Sequence, residues 1–153
     1  MGDWRAELSR LAAGADANRD GEANRSGIGP DAVAEQFLRR TGMEALQELA
    51  EQLRELGREV RVAFLDGPPR VTLSVHYDGR EEMEYALRVR RRGDMAYAYA
   101  EASHVSPMTR KRYTYGRYVG GHQLDHTIVK ITREEIIDSF MNEYRHVCTP
   151  RRR

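Results

Sequence analysis

RVTLSVHYDGREEMEYALRVRRRGDMAYAYAEA, residues 70–102, is the stretch whose reading decides the fold. Val71, Leu73, Val75 and Tyr77 alternate with Thr72, Ser74 and His76, and Met83, Tyr85, Leu87 and Val89 repeat the pattern after Asp78-Gly79. A period of two is that of a β-strand with one buried face. Asp-Gly between two alternating runs signals a tight hairpin, since both residues tolerate positive φ. Gly93-Asp94 ends the second run, and Met95–Ala102 forms a third, with Tyr97 and Tyr99 on one side and alanines on the other. Small side chains on one face suit the close approach of a packing helix.

Working outward, Val60, Val62 and Phe64 alternate in an earlier strand that Gly67-Pro68-Pro69 closes. Tyr113–Val119 reads as an edge strand after an exposed loop over 103–112, in which Pro107 cannot serve a ladder. Short connections in series imply antiparallel neighbours. Upstream, Leu46, Leu49, Leu53 and Leu56 recur at helical steps, and Val33, Phe37 and Leu38 begin a second stripe. Thr41 and Glu44 have capping-box spacing, so residues 31–56 form either a short helix and a longer one or one kinked helix, with Gly57 as its stop. Downstream, Thr132-Arg133-Glu134-Glu135 is a second capping box, and Ile136, Ile137, Phe140, Met141, Tyr144 and Val147 give the closing helix a wide apolar face. The expected fold class is α+β: an antiparallel four- to five-stranded meander sheet lying between an N-terminal long helix and a C-terminal helix.

The 31–148 domain is preceded by a short amphipathic helix over 1–13 and a flexible polar linker over 14–30, and is followed by a basic tail over 149–153. With 40% hydrophobic and 32% charged residues, the chain can build a modest core beneath a charged surface. No run approaches the roughly 18 apolar residues of a membrane helix, and no signal-peptide h-region is present. A single cysteine, Cys148, excludes a disulfide framework and points to a reducing compartment. The formal net charge of +1 hides a split: residues 1–87 carry 11 Lys+Arg against 17 Asp+Glu, and residues 88–153 carry 14 against 7. Opposite charges can pair across a fold or form one face suited to anions.

Candidate chemistry is sparse. Asp16, Asn18, Asp20 and Gly21 match the first half of a calcium loop, but Gly27 stands where the closing Glu belongs. His122 and His126 lie among glycines and β-branched residues that disfavour the helix a two-histidine metal site would need. His146 and Cys148, two residues apart, do not share a helix face, and neither a nucleophile elbow nor a phosphate-cradling glycine loop is present. The chain therefore reads as non-catalytic, with no cofactor and no metal. The stretch Arg110-Lys111-Arg112-Tyr113-Thr114-Tyr115-Gly116-Arg117-Tyr118 interleaves cations with aromatics. With Arg88 and Arg90 it defines a candidate anion- or partner-binding stripe: Arg88, Arg90, Arg110, Lys111, Arg112 and Arg117. Such a stripe fits a small nucleic-acid-binding domain as the alternative function, although aromatic sequences of the RNP type are lacking and disfavour it. Anionic lipid is the other anionic partner it would suit.

Several local sequences carry a resemblance. These are Trp4-Arg5-Ala6-Glu7-Leu8, FLRRTGMEALQELAEQLRELG (37–57), RVTLSVHYDG (70–79) and GGHQLDHTIVKITREEIIDSFMNEYRHV (120–147). Together they resemble the cytoplasmic C-terminal domain of bacterial choline transporters of the betaine/choline/carnitine class. The resemblance implies a regulatory domain that adjusts osmoprotectant uptake to osmotic or ionic conditions. It also implies a cytoplasmic location, tethered at the inner membrane in a full-length parent. Its partner would be a membrane transport core in cis or another copy of the domain. No transporter substrate residue carries over, because those lie in membrane helices.

Overall fold

The structure, a computed structural model, describes residues 30–121 and 124–148. The expected helix over 1–13, all but the last residue of the 14–30 linker, the calcium-like loop, His122 and the 149–153 tail lie outside the described residues.

Pro30 opens helix α1 (Pro30–Phe37), as its fixed φ and missing N–H allow at a first helical position. The chain passes through a widened π turn (Leu38–Gly42) into α2 (Met43–Glu55) without leaving helical dihedrals. Within that turn the Met43 N–H reaches back five residues to the Leu38 carbonyl. This corrects the capping box expected at Thr41 and Glu44: Gly42 holds the N-cap position with no side-chain cap, and Thr41 is buried inside the helical run. What the Thr41-Gly42 pair provides is proximity. A Cβ at Gly42 would stand 3.1 Å from Leu87 Cδ2, a tight contact that Leu87 would have to relieve, so glycine eases the close approach of the helix to the sheet. At the far end Gly57, at φ 89°, closes a Schellman motif: its N–H bonds the Arg54 carbonyl and the Arg58 N–H bonds that of Leu53.

Five strands follow in a simple meander, ordered as in the chain and antiparallel throughout: β1 (Glu59–Leu65), β2 (Arg70–Tyr77), β3 (Arg80–Arg92), β4 (Met95–Val105) and β5 (Arg112–Tyr118). The β2–β3 turn is the expected Asp78-Gly79, at φ 56° and 79°. Strand β4 runs three residues beyond the predicted Ala102, narrowing the loop before β5. A bulge between Val75/His76 and the facing strand leaves Glu82 as an extra residue. Its carboxylate takes hydrogen bonds from Arg58 Nε and Nη2 at 3.3 and 3.2 Å and from the Tyr144 hydroxyl at 2.6 Å. The bond to Glu82 outweighs the cost of burial and holds the Arg58 guanidinium pKa above its ordinary value. Arg58 also lies 4.2 Å over the Tyr77 ring, so one cluster ties the α2–β1 turn, two strands and the closing helix.

After β5 a short 3₁₀ turn (Ile128–Lys130) leads to α3 (Arg133–Cys148). Its capping box is formed as expected: the Glu135 N–H bonds Thr132 Oγ1 and the Thr132 N–H bonds Glu135 Oε1. Register places Val60, Val62, Phe64, Val71, Leu73, Val75, Met83, Tyr85, Leu87, Ala98, Ala100 and Ala102 on one face of the sheet. Leu38, Leu46 and Leu49 from the first helical run and Ile136 and Phe140 from α3 join them in a single core. The alanines of β4 face the helices, as their size suggested. Both α2 and α3 pack on this face and touch each other, so the sheet does not lie between them. The expected α+β class and meander stand; the layering is helices on one face and open strands on the other. No described helix is long and apolar enough to cross a membrane.

Candidate partner-binding face

The second face of the sheet follows from the same parity. It presents Arg61 and Ala63 on β1, Thr72 and Ser74 on β2, Glu84, Ala86, Arg88 and Arg90 on β3, Tyr97, Tyr99 and Glu101 on β4, and Arg112, Thr114, Gly116 and Tyr118 on β5. No described helix lies over it.

At its centre Arg88 and Arg90 flank Tyr99. The Arg90 guanidinium stands 4.3 Å from the ring centroid and that of Arg88 5.9 Å away. Arg88 Nη2 donates to Glu101 Oε2 at 2.9 Å, whereas no carboxylate of the described residues lies within ion-pair distance of Arg90. Tyr118 meets Tyr99 and Tyr97 edge-on at centroid distances of 5.0 and 5.9 Å. The Tyr97 hydroxyl donates to the Leu124 carbonyl at 2.6 Å, so the segment after β5 is tied to this end of the sheet. Tyr99 also lies across Gly116, where any Cβ would collide with the ring.

The six residues of the expected stripe do not form one surface. Arg88, Arg90 and Arg112 share the open face, and Arg112 donates to Ser103 Oγ at 2.7 Å and to both oxygens of Glu81 at 3.2 and 3.0 Å. Arg110 and Lys111 are exposed in the β4–β5 loop, with Arg110 at φ 65°. Arg117 has the opposite parity and points to the helical side, where its Nε meets the buried carboxylate of Glu143 at 2.9 Å. The period-two rule, applied within β5, separates Arg112 from Arg117 from sequence alone. The carboxylate partners Glu81, Glu101 and Glu143 had no signal of that kind, since each comes from another element. Two ion pairs, Arg112 with Glu81 and Arg133 with Glu48, do join the acidic first part of the chain to the basic second part.

His126 and His104 are likewise engaged within the fold. His126 pairs with Glu135, and His104 lies beside Tyr113 and Tyr115 at centroid distances of 6.0 and 6.1 Å. Among the described residues no three His, Cys, Asp or Glu side chains converge as a metal site would require. A depression lined by Glu59, Val60, Arg61 and His76 is shallow and mixed in polarity.

No protein-family model, no curated protein and no solved structure matches this chain.

Proposed function

We propose that the chain is a non-catalytic regulatory or interaction domain whose open sheet face meets an anionic surface in a salt-dependent way. The observation that carries the reading is the set on that face: Arg90 stacked on Tyr99 without a described carboxylate partner, beside two solvent-reaching arginines held by half-buried carboxylates. Such pairs are worth little in water and are screened within about 8 Å at physiological ionic strength. A phosphate-bearing surface can therefore compete with Glu101 and Glu81 for Arg88 and Arg112, and salt shifts that competition. The quoted resemblance to choline-transporter C-terminal domains supports the same role. There the anionic surface is lipid at the cytoplasmic face, and the response to ionic conditions adjusts osmoprotectant uptake.

The nucleic-acid alternative draws less support. Base stacking needs free aromatic faces beside the cations; on the open face Tyr97 is buried, Tyr99 is occupied by Arg90 and Tyr118 meets both tyrosines, while the exposed Tyr113 and Tyr115 turn to the other side of the sheet.

Flotation with phosphatidylglycerol vesicles and with phosphatidylcholine vesicles, at low and high salt, tests the proposal. Binding to the anionic vesicles that falls with salt and is lost in Arg88→Gln/Arg90→Gln is expected. Equal recovery at both salts, or tighter binding to single-stranded RNA than to the vesicles, would sink it.

A further inference from the structure

Arg70 opens β2 directly opposite Arg88 of β3, and both belong to the open face of the sheet. On its other side Arg88 stands opposite Tyr99, over whose ring Arg90 leans back at 4.3 Å. Guanidinium groups from two strands therefore crowd one end of that face. Like charges directly opposite on neighbouring strands destabilise a sheet. Glu101 answers Arg88, and no carboxylate of the described residues lies within ion-pair distance of Arg70 or Arg90. Arg88 itself is half satisfied. Its Nη2 donates to Glu101 at 2.9 Å, while Nε, on the same edge of the planar fork, is buried with no hydrogen-bond partner. A buried donor left unmade costs stability, and two acceptor oxygens side by side would complete that edge.

We propose that Arg70, Arg88 and Arg90 form a discrete site for a phosphate monoester. The inference rests on the salt-dependent anionic reading of this face and names the group that the face takes. A monoester carries about 1.5 to 2 negative charges at pH 7 and three acceptor oxygens. Two of those oxygens replace Glu101 along the Nε–Nη2 edge of Arg88, and the third faces Arg70 across the strand pair. Arg90 closes the rim, its position held by the Tyr99 ring.

A phosphate diester has a single charge and only two terminal oxygens. It fills the Arg88 edge and leaves Arg70 unanswered. Arg70 is thus the residue that sets the preference for a monoester, and its opposition to Arg88 is a standing cost that the ligand relieves. The same chemistry comes from a phosphatidic acid headgroup or from a small soluble monoester.

Two arms test the site and separate those sources. In solution, methyl phosphate and dimethyl phosphate are titrated at constant ionic strength while the arginine Nε–H signals are followed by NMR. Saturable shifts at Arg70, Arg88 and Arg90 are expected with methyl phosphate, with binding about tenfold tighter than that of dimethyl phosphate. On membranes, flotation compares phosphatidic acid with phosphatidylglycerol vesicles matched in surface charge. A preference for phosphatidic acid assigns the site to the headgroup, and equal flotation beside a methyl phosphate preference assigns it to a soluble monoester. Arg70→Gln should lose the monoester preference, and Arg70→Lys, which keeps the charge without the fork, should lose most of it. Arg70→Gln should also unfold at a urea concentration no lower than the native chain, because it removes the opposed charge. No saturable shift with methyl phosphate, equal binding of the two phosphates, or a preference that survives Arg70→Gln overturns the proposal, and salt-dependent flotation on phosphatidylglycerol would then still stand. Methyl phosphate binding with no flotation on either vesicle supports the site and removes the lipid reading.

Discussion

Glu135 Oε2 lies 2.8 Å from His126 Nε2, while the other oxygen of the same carboxylate receives the Thr132 N–H at 3.0 Å. One side chain therefore closes the first turn of α3 and holds the segment that leads into it. His126 in turn rests on Gly120, at φ 82°, where a Cβ would strike the imidazole. The helix start, the preceding loop and the turn after β5 form one unit around Glu135.

Thr132→Ala is accordingly expected to lower stability by about 1 kcal/mol, the usual worth of a lost N-cap. Glu135→Ala, which also releases His126, should cost about 2 kcal/mol. Urea unfolding checks both. The double variant should fall short of the sum, because both substitutions break the same box. Full additivity would mean the two groups act separately.

Arg117 was a candidate ligand-binding cation by composition and is placed as a structural one. Its partner Glu143 is only 5% exposed, so removing the guanidinium strands a buried carboxylate. Arg117→Ala should destabilise the fold by about 2 kcal/mol, reduced from the fully buried case because Arg117 itself reaches solvent. Arg110→Ala and Lys111→Ala, in the exposed loop, should stay within about 0.5 kcal/mol of the native chain. Thermal or urea unfolding of the three variants separates these roles. Equal, small effects would remove the structural assignment.

Periodicity carried most of the fold because burial is one-sided: Val71, Leu73 and Val75 repeat every second residue, and Asp78-Gly79 admits few turns. The cap at Thr132 was legible for the same reason, since all its atoms come from four consecutive residues. What sequence could not supply was anything made by distant parts. The side of the sheet that α3 chooses depends on where the chain crosses after β5. The bulge that turns Glu82 toward Arg58 and Tyr144 has no local marker. Thr41-Gly42 misled because a capping pattern and a close-packing glycine look alike until Leu87 is seen beside it. Parity divides the candidate stripe, and of its members on the open face Arg88 and Arg112 gain carboxylate partners from other elements while Arg90 gains a ring.

Gly116 gives a test of the open face. Its Cα lies beneath Tyr99, so Gly116→Ala should push that ring away, loosening its contacts with Arg90 and Tyr118 while β5 stays paired. A stability loss of about 1–2 kcal/mol is expected, set by overpacking rather than by strand propensity, which would favour alanine over glycine. In a Tyr99→Ala background the same substitution should be neutral or stabilising. Ring-proton chemical shifts of Tyr99 and Tyr118 report the displacement directly. An unchanged Tyr99 environment in Gly116→Ala would contradict the packing described.

Tyr85 gives stability an alkaline pH dependence. It is fully buried, packed edge-on against Phe140 at 5.4 Å, with its hydroxyl 2.8 Å from Ser139 Oγ. Burial first, and the nearby Glu143 charge as well, push its pKa up, while the Ser139 hydrogen bond pulls the other way. In the unfolded chain a tyrosine ionises near pH 10. Above that pH the unfolded state has lost a proton that the folded state keeps, so stability falls as pH rises. For this one group the slope approaches about 1.4 kcal/mol per pH unit, until the folded hydroxyl ionises in turn. Below about pH 9 the contribution is fully present and the curve is flat with respect to Tyr85. Tyr85→Phe should cost about 1 kcal/mol near neutrality through the lost bond to Ser139, and then lose stability less steeply above pH 10. Urea midpoints from pH 7 to 11 for both proteins test this, and parallel curves above pH 10 would show that the buried phenol is not the group responsible.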